Sequence, residues 1–239
     1  MSLDLSQIHI EPVSETGLMI YFADSISEET AILIGNSCSY FQSLAFEWLI
    51  EIIPSYSSLY IQYDALQLDY LTVKQNLLAS FKTMPEASLA ATGQGKQIEL
   101  PACYHPEVAP DLESAATALK LGVDELIEIH SSRVYRVCAI GFAPGFAFLA
   151  SVDSRIALPR LSTPRKKVMK GSIGIADQQT AVYPQDSPGG WQIIANCTTA
   201  LFNPDSEPMT PFSVGDSVRF KPVSLEEYLK SGGQRWHGE

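Results

Sequence analysis

Cysteine is scarce in this 239-residue chain, and its four copies (Cys38, Cys103, Cys138 and Cys197) lie far apart with no Cys-x-x-Cys spacing. That pattern argues against a disulfide scaffold and a zinc ribbon, and reads as reduced, buried thiols of a cytosolic protein. Histidine is equally sparse, and His9, His105, His130 and His237 show no paired metal spacing. Cys103 and His105 alone are too few ligands for zinc, so no metal is expected. No apolar run reaches transmembrane length. The opening Met1-Ser-Leu-Asp-Leu-Ser6 lacks the basic and apolar regions of a signal peptide, so no membrane association is expected. Basic residues are nearly absent from the first third. Residues 1–91 hold eleven acids against Lys74 and Lys82, within a chain of formal charge −11. Such acidity disfavours nucleic acid and anionic membranes as partners. There is no Gly-x-x-x-x-Gly-Lys-[Ser/Thr] loop for a nucleotide. Gly171-Ser-Ile-Gly174 lacks the spacing of a nucleophile elbow, so Ser172 is a poor nucleophile.

What is present is globular: 46% hydrophobic and 18% charged residues. The first eighty-odd residues read as ββαββα. Strands are expected at 7–13 and 18–22, and a helix from Ser27, which caps it, through Ile32, Leu33, Cys38, Phe41, Leu44 and Ala45. Strands at 48–53 and 58–63 and a helix over 71–81 follow. This order predicts a small α+β sandwich over residues 1–84. Residues 85–97 lose periodicity and read as a linker. Residues 98–239 read as a second, mainly β domain. Its first strand, near residues 98–104, contains Pro101, which would confine it to an edge or a bulge. Two helices come next. Asp111 is expected to cap the first and Gly122 to end it; Asp124 is expected to cap the second, which ends at His130. Six further strands are expected at 134–140, 146–149, 171–176, 179–183, 192–197 and 217–222, which suggests a barrel or sandwich. A short helix lies at 225–229, and the tail from Ser231 is expected to fray.

The informative stretch runs from Arg133 to Trp191. Arg155, Arg160, Arg165, Lys166, Lys167 and Lys170 stand there with no acid between Arg155 and Lys170, a local reversal of sign. Such a cluster either holds a phosphate or carboxylate through bidentate Arg contacts or is a solvated loop. Gly141-Phe-Ala-Pro-Gly145 reads as a tight turn displaying Phe142 and Phe146. Gln179 and Tyr183, four apart, share one face of a strand. A pocket can be assembled from charges on Arg160 and Arg165, polar groups on Gln179 and Tyr183, and apolar walls from Phe146 and Trp191. His130, at a helix C-terminus, reads either as a cap or as an imidazole whose pKa the helix end raises, hence an acid, base or anion contact.

Five motifs, in fixed order, carry a family resemblance. They are Gly141-Phe-x-Pro-Gly-Phe, Pro159-Arg-x-x-Thr-Pro-Arg165, Gly171-Ser-Ile-x-Ile-Ala176, Gln179-Thr-x-x-Tyr-Pro184 and Ser187-Pro-Gly-Gly-Trp191. Together with Gly215-Asp-x-Val-x-Phe220, they resemble the family of the 5-oxoprolinase B subunit, also called allophanate hydrolase subunit 1 or the carboxyltransferase-domain C subunit. The resemblance covers residues 7–222. It implies an α+β N-terminal domain followed by a cyclophilin-like β-barrel. It also implies a cytoplasmic hydrolase subunit, active only in a complex, that opens 5-oxo-L-proline to L-glutamate at the expense of ATP. The implied partners are a sister carboxyltransferase-type subunit and a third 5-oxoprolinase protein, with ATP bound together with a partner. On this reading Arg160, Arg165, Tyr183 and His130 are the catalytic candidates. Phe146, Gln179, Ser187 and Trp191 are the substrate contacts. The chain departs from the family's usual residues at Ser14-Glu15, Ser57, Met169-Lys170 and Asp177-Gln178. Because the family includes an inhibitor of a sensor histidine kinase, the alternative is a protein-binding module that docks on such a kinase. Prolyl isomerisation rests on fold analogy alone, which does not carry function.

Overall fold

The computed structural model describes residues 8–23, 27–85 and 95–238. Its chain divides into two units, Met1–Gly95 and Lys96–Glu239. Most of the stretch read as a linker, residues 86–94, lies outside the described residues.

In the first unit, strands β1 (His9–Ser14), β2 (Gly17–Tyr21), β3 (Leu49–Pro54) and β4 (Ser58–Tyr63) alternate with helices α1 (Glu28–Ser43) and α2 (Tyr70–Thr83). The sheet runs β1-β2-β4-β3, antiparallel throughout. Period-2 alternation places Leu18 and Ile20 opposite Ile61 and Leu59. These four are fully buried, and they pack with Ile34 and Phe41 of α1 and Val73, Leu77 and Phe81 of α2. Burying each such side chain contributes about 1.5–3 kcal/mol. Ser27 caps α1 by accepting the Thr30 N–H at 3.0 Å. The helix stops sooner than its apolar stripe suggests: Leu44 is a solvent-exposed C-cap, and Ala45 turns left-handed at φ 47°.

The second unit contains β5 (Gln97–Ala102), α3 (Leu112–Leu119), α4 (Val123–Ser132), β6 (Val134–Ile140), β7 (Ala147–Ala150), β8 (Arg165–Val168), β9 (Ser172–Ala176), β10 (Gln179–Val182), β11 (Ser187–Gly189), β12 (Gln192–Asn196), β13 (Ser217–Pro222) and α5 (Leu225–Lys230). Seven strands form one sheet in the order β12-β9-β10-β7-β6-β13-β5. Only the β13–β5 pairing is parallel. The two ends of that order meet. Cys103, just past β5, exchanges backbone hydrogen bonds with Asn196 of β12 at 2.8 and 3.0 Å, so the sheet curls into a nearly closed barrel. An α+β unit followed by a barrel agrees with the predicted fold class. Within the barrel, Tyr135, Val137, Ile173, Ile175, Ile194 and Phe220 are fully buried and form its core with α3 and α4.

Four local expectations for this unit are corrected. Asp111 stands at the α3 N-terminus but makes no side-chain cap, because its carboxylate is spent elsewhere. Lys120, not Gly122, ends α3 in the left-handed region at φ 58°. Gly122 is instead the N-cap of α4, and Asp124 lies in that helix's first turn. Finally, β8 and β11 pair into a two-stranded ribbon where the Pro- and Gly-rich sequence reads as loop.

Candidate functional site

β10 separates two environments. Thr180 and Val182 face the barrel core, while Gln179 and Ala181 point to the other face, the side on which Tyr183 packs. Ala181 and Tyr183 belong to a small aromatic cluster with Phe146, Val168, Trp191 and Ile193. The Phe146 ring meets Tyr183 and Trp191 edge-on, with centroids 5.4 and 5.8 Å apart. Quadrupole geometry favours this arrangement. Tyr183 is fixed through its backbone, which donates to Ser172 O at 2.9 Å and accepts the Gly171 N–H at 2.7 Å.

Arg160 reaches this cluster because its loop is clamped. Leu161 donates to Gly190 O at 2.7 Å, and the Gln192 side chain donates to Pro159 O at 3.1 Å. The exposed Arg160 guanidinium then lies 5.9 Å from the centre of the Trp191 ring, a cation–π contact. Arg165 arrives from β8, and its guanidinium is spent. It pairs with Asp111 at 2.5 Å, with side chains only 17% and 8% exposed, and also lies 5.7 Å from the Trp236 ring. The other Asp111 oxygen accepts the Ile193 N–H at 2.6 Å. The basic cluster therefore divides. Arg155 pairs with Asp153 and Lys167 with Asp186, while Arg160, Lys166 and Lys170 have no carboxylate partner among the described residues.

Burial pushes the Tyr183 hydroxyl up to about 12, against the opposing pull of a hydrogen bond from the Trp191 backbone and of Arg160 and Arg165. It is therefore neutral at physiological pH. A Cβ at Gly189 would collide with this hydroxyl, so the glycine keeps the 187–191 turn against the ring. Ser187 lies opposite Val168 in the β8–β11 ribbon, and directly opposed residues share a face. Its Oγ is buried with no hydrogen-bond partner, an unspent donor on the side of the aromatic cluster. Gln179 is half-buried on the same face of β10, near its start.

His130 does not join these residues. It sits at the end of α4 but is fully buried in the barrel core, stacked on Phe220 with centroids 4.8 Å apart. Thr180 donates its one proton to Gly174 O at 3.0 Å, so the imidazole Nε2–H donates to Thr180 Oγ1 at 3.0 Å. Nδ1 is then the acceptor for the Tyr104 hydroxyl at 2.7 Å. Burial pushes this histidine down to about 3. A helix C-terminus favours the charged ring, but desolvation wins here because the ring is wholly enclosed among neutral groups. His130 is a buried hydrogen-bond hub, and burial lowers its pKa where the helix end alone predicts a raised one.

The structure thus gathers Arg160, Arg165, Tyr183, Phe146 and Trp191, with Ser187 and Gln179 on the same side, and places His130 in the core. Sequence reasoning missed Asp111 as the partner of Arg165, since an acid opening a helix reads first as a cap. It also missed Trp236. The tail, which reads from its sequence as frayed, is tied down: Trp236 N–H donates to Glu107 O at 2.7 Å, and Arg235 pairs with the Glu107 carboxylate.

The family described as carboxyltransferase domain, subdomain C and D, matches residues 8–212. The 5-oxoprolinase B subunit of Bacillus subtilis (strain 168) is 37% identical over 227 residues, 92% of this chain and 94% of that protein. Among solved structures, that of TTHA0988 superposes with a TM-score of 0.76 at 30% identity. It covers 88% of this chain, and this chain spans about 40% of it. PH0987 from Pyrococcus horikoshii is 41% identical over 92% of this chain and its own whole length, with a TM-score of 0.55.

Proposed function

The chain belongs to the family of the 5-oxoprolinase B subunit, and from that premise we propose that it is a subunit of an ATP-dependent 5-oxoprolinase, which converts 5-oxo-L-proline to L-glutamate. The observation that carries the reading is the match to the Bacillus subtilis protein along nearly the full length of both chains. Among the described residues no helix is long and apolar enough to cross a membrane. The four cysteines are buried and none forms a disulfide among the described residues, as a reducing cytoplasm allows.

The site residues take roles that their surroundings permit. Arg160 is the charged contact, because it is exposed, unpaired with any described carboxylate and held over Trp191. It suits the carboxylate of the lactam or a transferring phosphoryl group. The Ser187 hydroxyl supplies a neutral donor that has no other partner. Phe146 and Trp191 form an apolar wall for the ring carbons. Tyr183 and Arg165 act as positioning residues. The first holds the 189–191 turn, and the second ties β8 to Asp111 at the start of α3.

A lactam resists water because its amide is stable. ATP supplies a phosphoryl group for the carbonyl oxygen, which makes the carbonyl carbon attackable. The fit to ATP is partial. The free Arg160 guanidinium can meet a phosphoryl group, but the chain has no Gly-x-x-x-x-Gly-Lys-[Ser/Thr] loop to cradle a triphosphate. The nucleotide is therefore assigned to the partner side of the complex. The partners are a sister carboxyltransferase-type subunit and a third protein. In TTHA0988 more than half the chain lies outside the part matched here.

The test is co-expression with the candidate partners, followed by assay of glutamate release from 5-oxoproline. ATP-dependent release that is lost without this chain supports the reading. No release from any complex, together with tight binding to a sensor histidine kinase, would replace it with the inhibitor alternative.

A further inference from the structure

Away from that site, a hollow lies in the barrel unit, bounded by the β8–β9 turn, the end of β12 and the tail after α5. It holds about 330 Å³ and is lined by, among others, Lys170, Asp186, Asn196, Tyr228, Gln234 and His237. None of the residues assigned above to the 5-oxoprolinase site lines it. Its size lies at the small end of ligand cavities.

The floor is polar and already bonded. Asn196 and Tyr228 are only 2% and 3% exposed. The Tyr228 hydroxyl lies 3.0 Å from Asn196 Oδ1 and 3.1 Å from Gln234 O, and it accepts the Gln234 N–H at 3.1 Å. Asn196 in turn donates to Lys170 O at 3.3 Å. A floor whose groups satisfy one another is preorganised and needs no rearrangement to take a ligand.

The rim is not balanced. Asp186 is engaged twice, accepting the Lys170 backbone N–H at 2.8 Å and pairing with Lys167 at 3.0 Å. Lys170 lines the hollow, and its ammonium has no carboxylate partner among the described residues. His237 also lines the hollow. Its backbone N–H donates to Met169 Sδ at 3.1 Å, which fixes the tail against the β8–β9 turn, and its ring Nδ1–H donates to Arg235 O at 3.2 Å. An uncompensated ammonium over a small polar hollow, in a chain of formal charge −11, is a recognition element for an oxyanion.

We propose that this hollow binds a small carboxylate- or phosphate-bearing anion, with Lys170 as its charged contact. The proposal does not depend on the reaction assigned above. Its wall is the segment 234–237, so occupancy restrains the tail that carries Trp236 against Arg165.

The full-length chain is titrated calorimetrically with inorganic phosphate and, separately, with succinate, at constant ionic strength. Saturable binding of either anion at about millimolar concentration or tighter is expected. Phosphate binding alone identifies a phosphate ligand and succinate binding alone a carboxylate; both outcomes support the site. Lys170→Gln should raise Kd about tenfold, the loss of one charge-assisted contact, while Arg160→Gln leaves it unchanged. Lys170 is exposed, so an unchanged melting curve shows that the fold is intact. The absence of saturable binding of either anion, or binding that Lys170→Gln leaves unaltered, would overturn the proposal.

Discussion

Two arginines five residues apart do different work, and substitution separates them. Arg160→Ala removes an exposed cation with no described ion pair, so stability should change by less than about 0.5 kcal/mol. Glutamate release by the assembled complex should fall about a hundredfold. Arg165→Ala strips the buried Asp111 carboxylate of its counterion and should cost about 3 kcal/mol of stability. Urea denaturation beside the turnover assay distinguishes the two effects. Turnover unchanged in both variants would refute the role of the arginine pair. His130 has a different signature. It takes up a proton near pH 6.5 in the unfolded chain but only near 3 in the folded barrel. Unfolding therefore binds a proton between those values. The contribution is whole above pH 6.5 and is lost as pH falls toward 3, at about 1.4 kcal/mol per unit. His130→Phe should be less stable at neutral pH, since Tyr104 and Thr180 lose a partner. Its denaturation midpoint should also fall less steeply between pH 6 and pH 4. An equally steep fall would assign the acid sensitivity to other groups.

At the level of elements, the β8–β9 turn lines the hollow beneath the tail. Gly171 adopts φ 82°, and a Cβ there would collide with the Cys197 carbonyl and the Asn196 side chain. Gly171→Ala therefore combines a left-handed backbone penalty with a backbone clash and should cost more than about 2 kcal/mol. Gly215, at φ 92° with open space around it, bears only the first of these terms, and its Ala variant should cost about 1 kcal/mol. Equal losses of melting temperature in the two variants would contradict this contrast. The β8–β11 ribbon shows why short elements escape sequence reading. Its strands span four and three residues, one of them Ser187-Pro-Gly, and they pair because the barrel brings them together.

For the whole molecule, each unit has its own apolar cluster, one built on Leu18, Ile20, Leu59 and Ile61 and the other on the barrel interior. Residues 96–239 expressed alone should therefore unfold in one cooperative transition. A broad, non-cooperative melt would show that the barrel needs the first unit. Activity is assigned to a larger assembly, because Arg160 and Ser187 supply only part of what an ATP-driven ring opening requires.

Much of this was legible in the chain itself. Alternation and capping residues located β1 to β4, α1 and α2, because those elements obey local rules: Ser27 caps, and Leu18 and Ile20 alternate. The five central motifs carried the family, since Gly and Pro at fixed spacing reflect turns that few other residues can make. What local sequence could not specify was partnership. An acid before a helix looks like a cap until β8 brings Arg165 beside it, and a histidine at a helix end looks tunable until a barrel closes around it. Which cations pair and which do not is decided by the fold, so only the folded barrel distinguishes Arg160, Lys166 and Lys170 from the paired Arg155, Arg165 and Lys167.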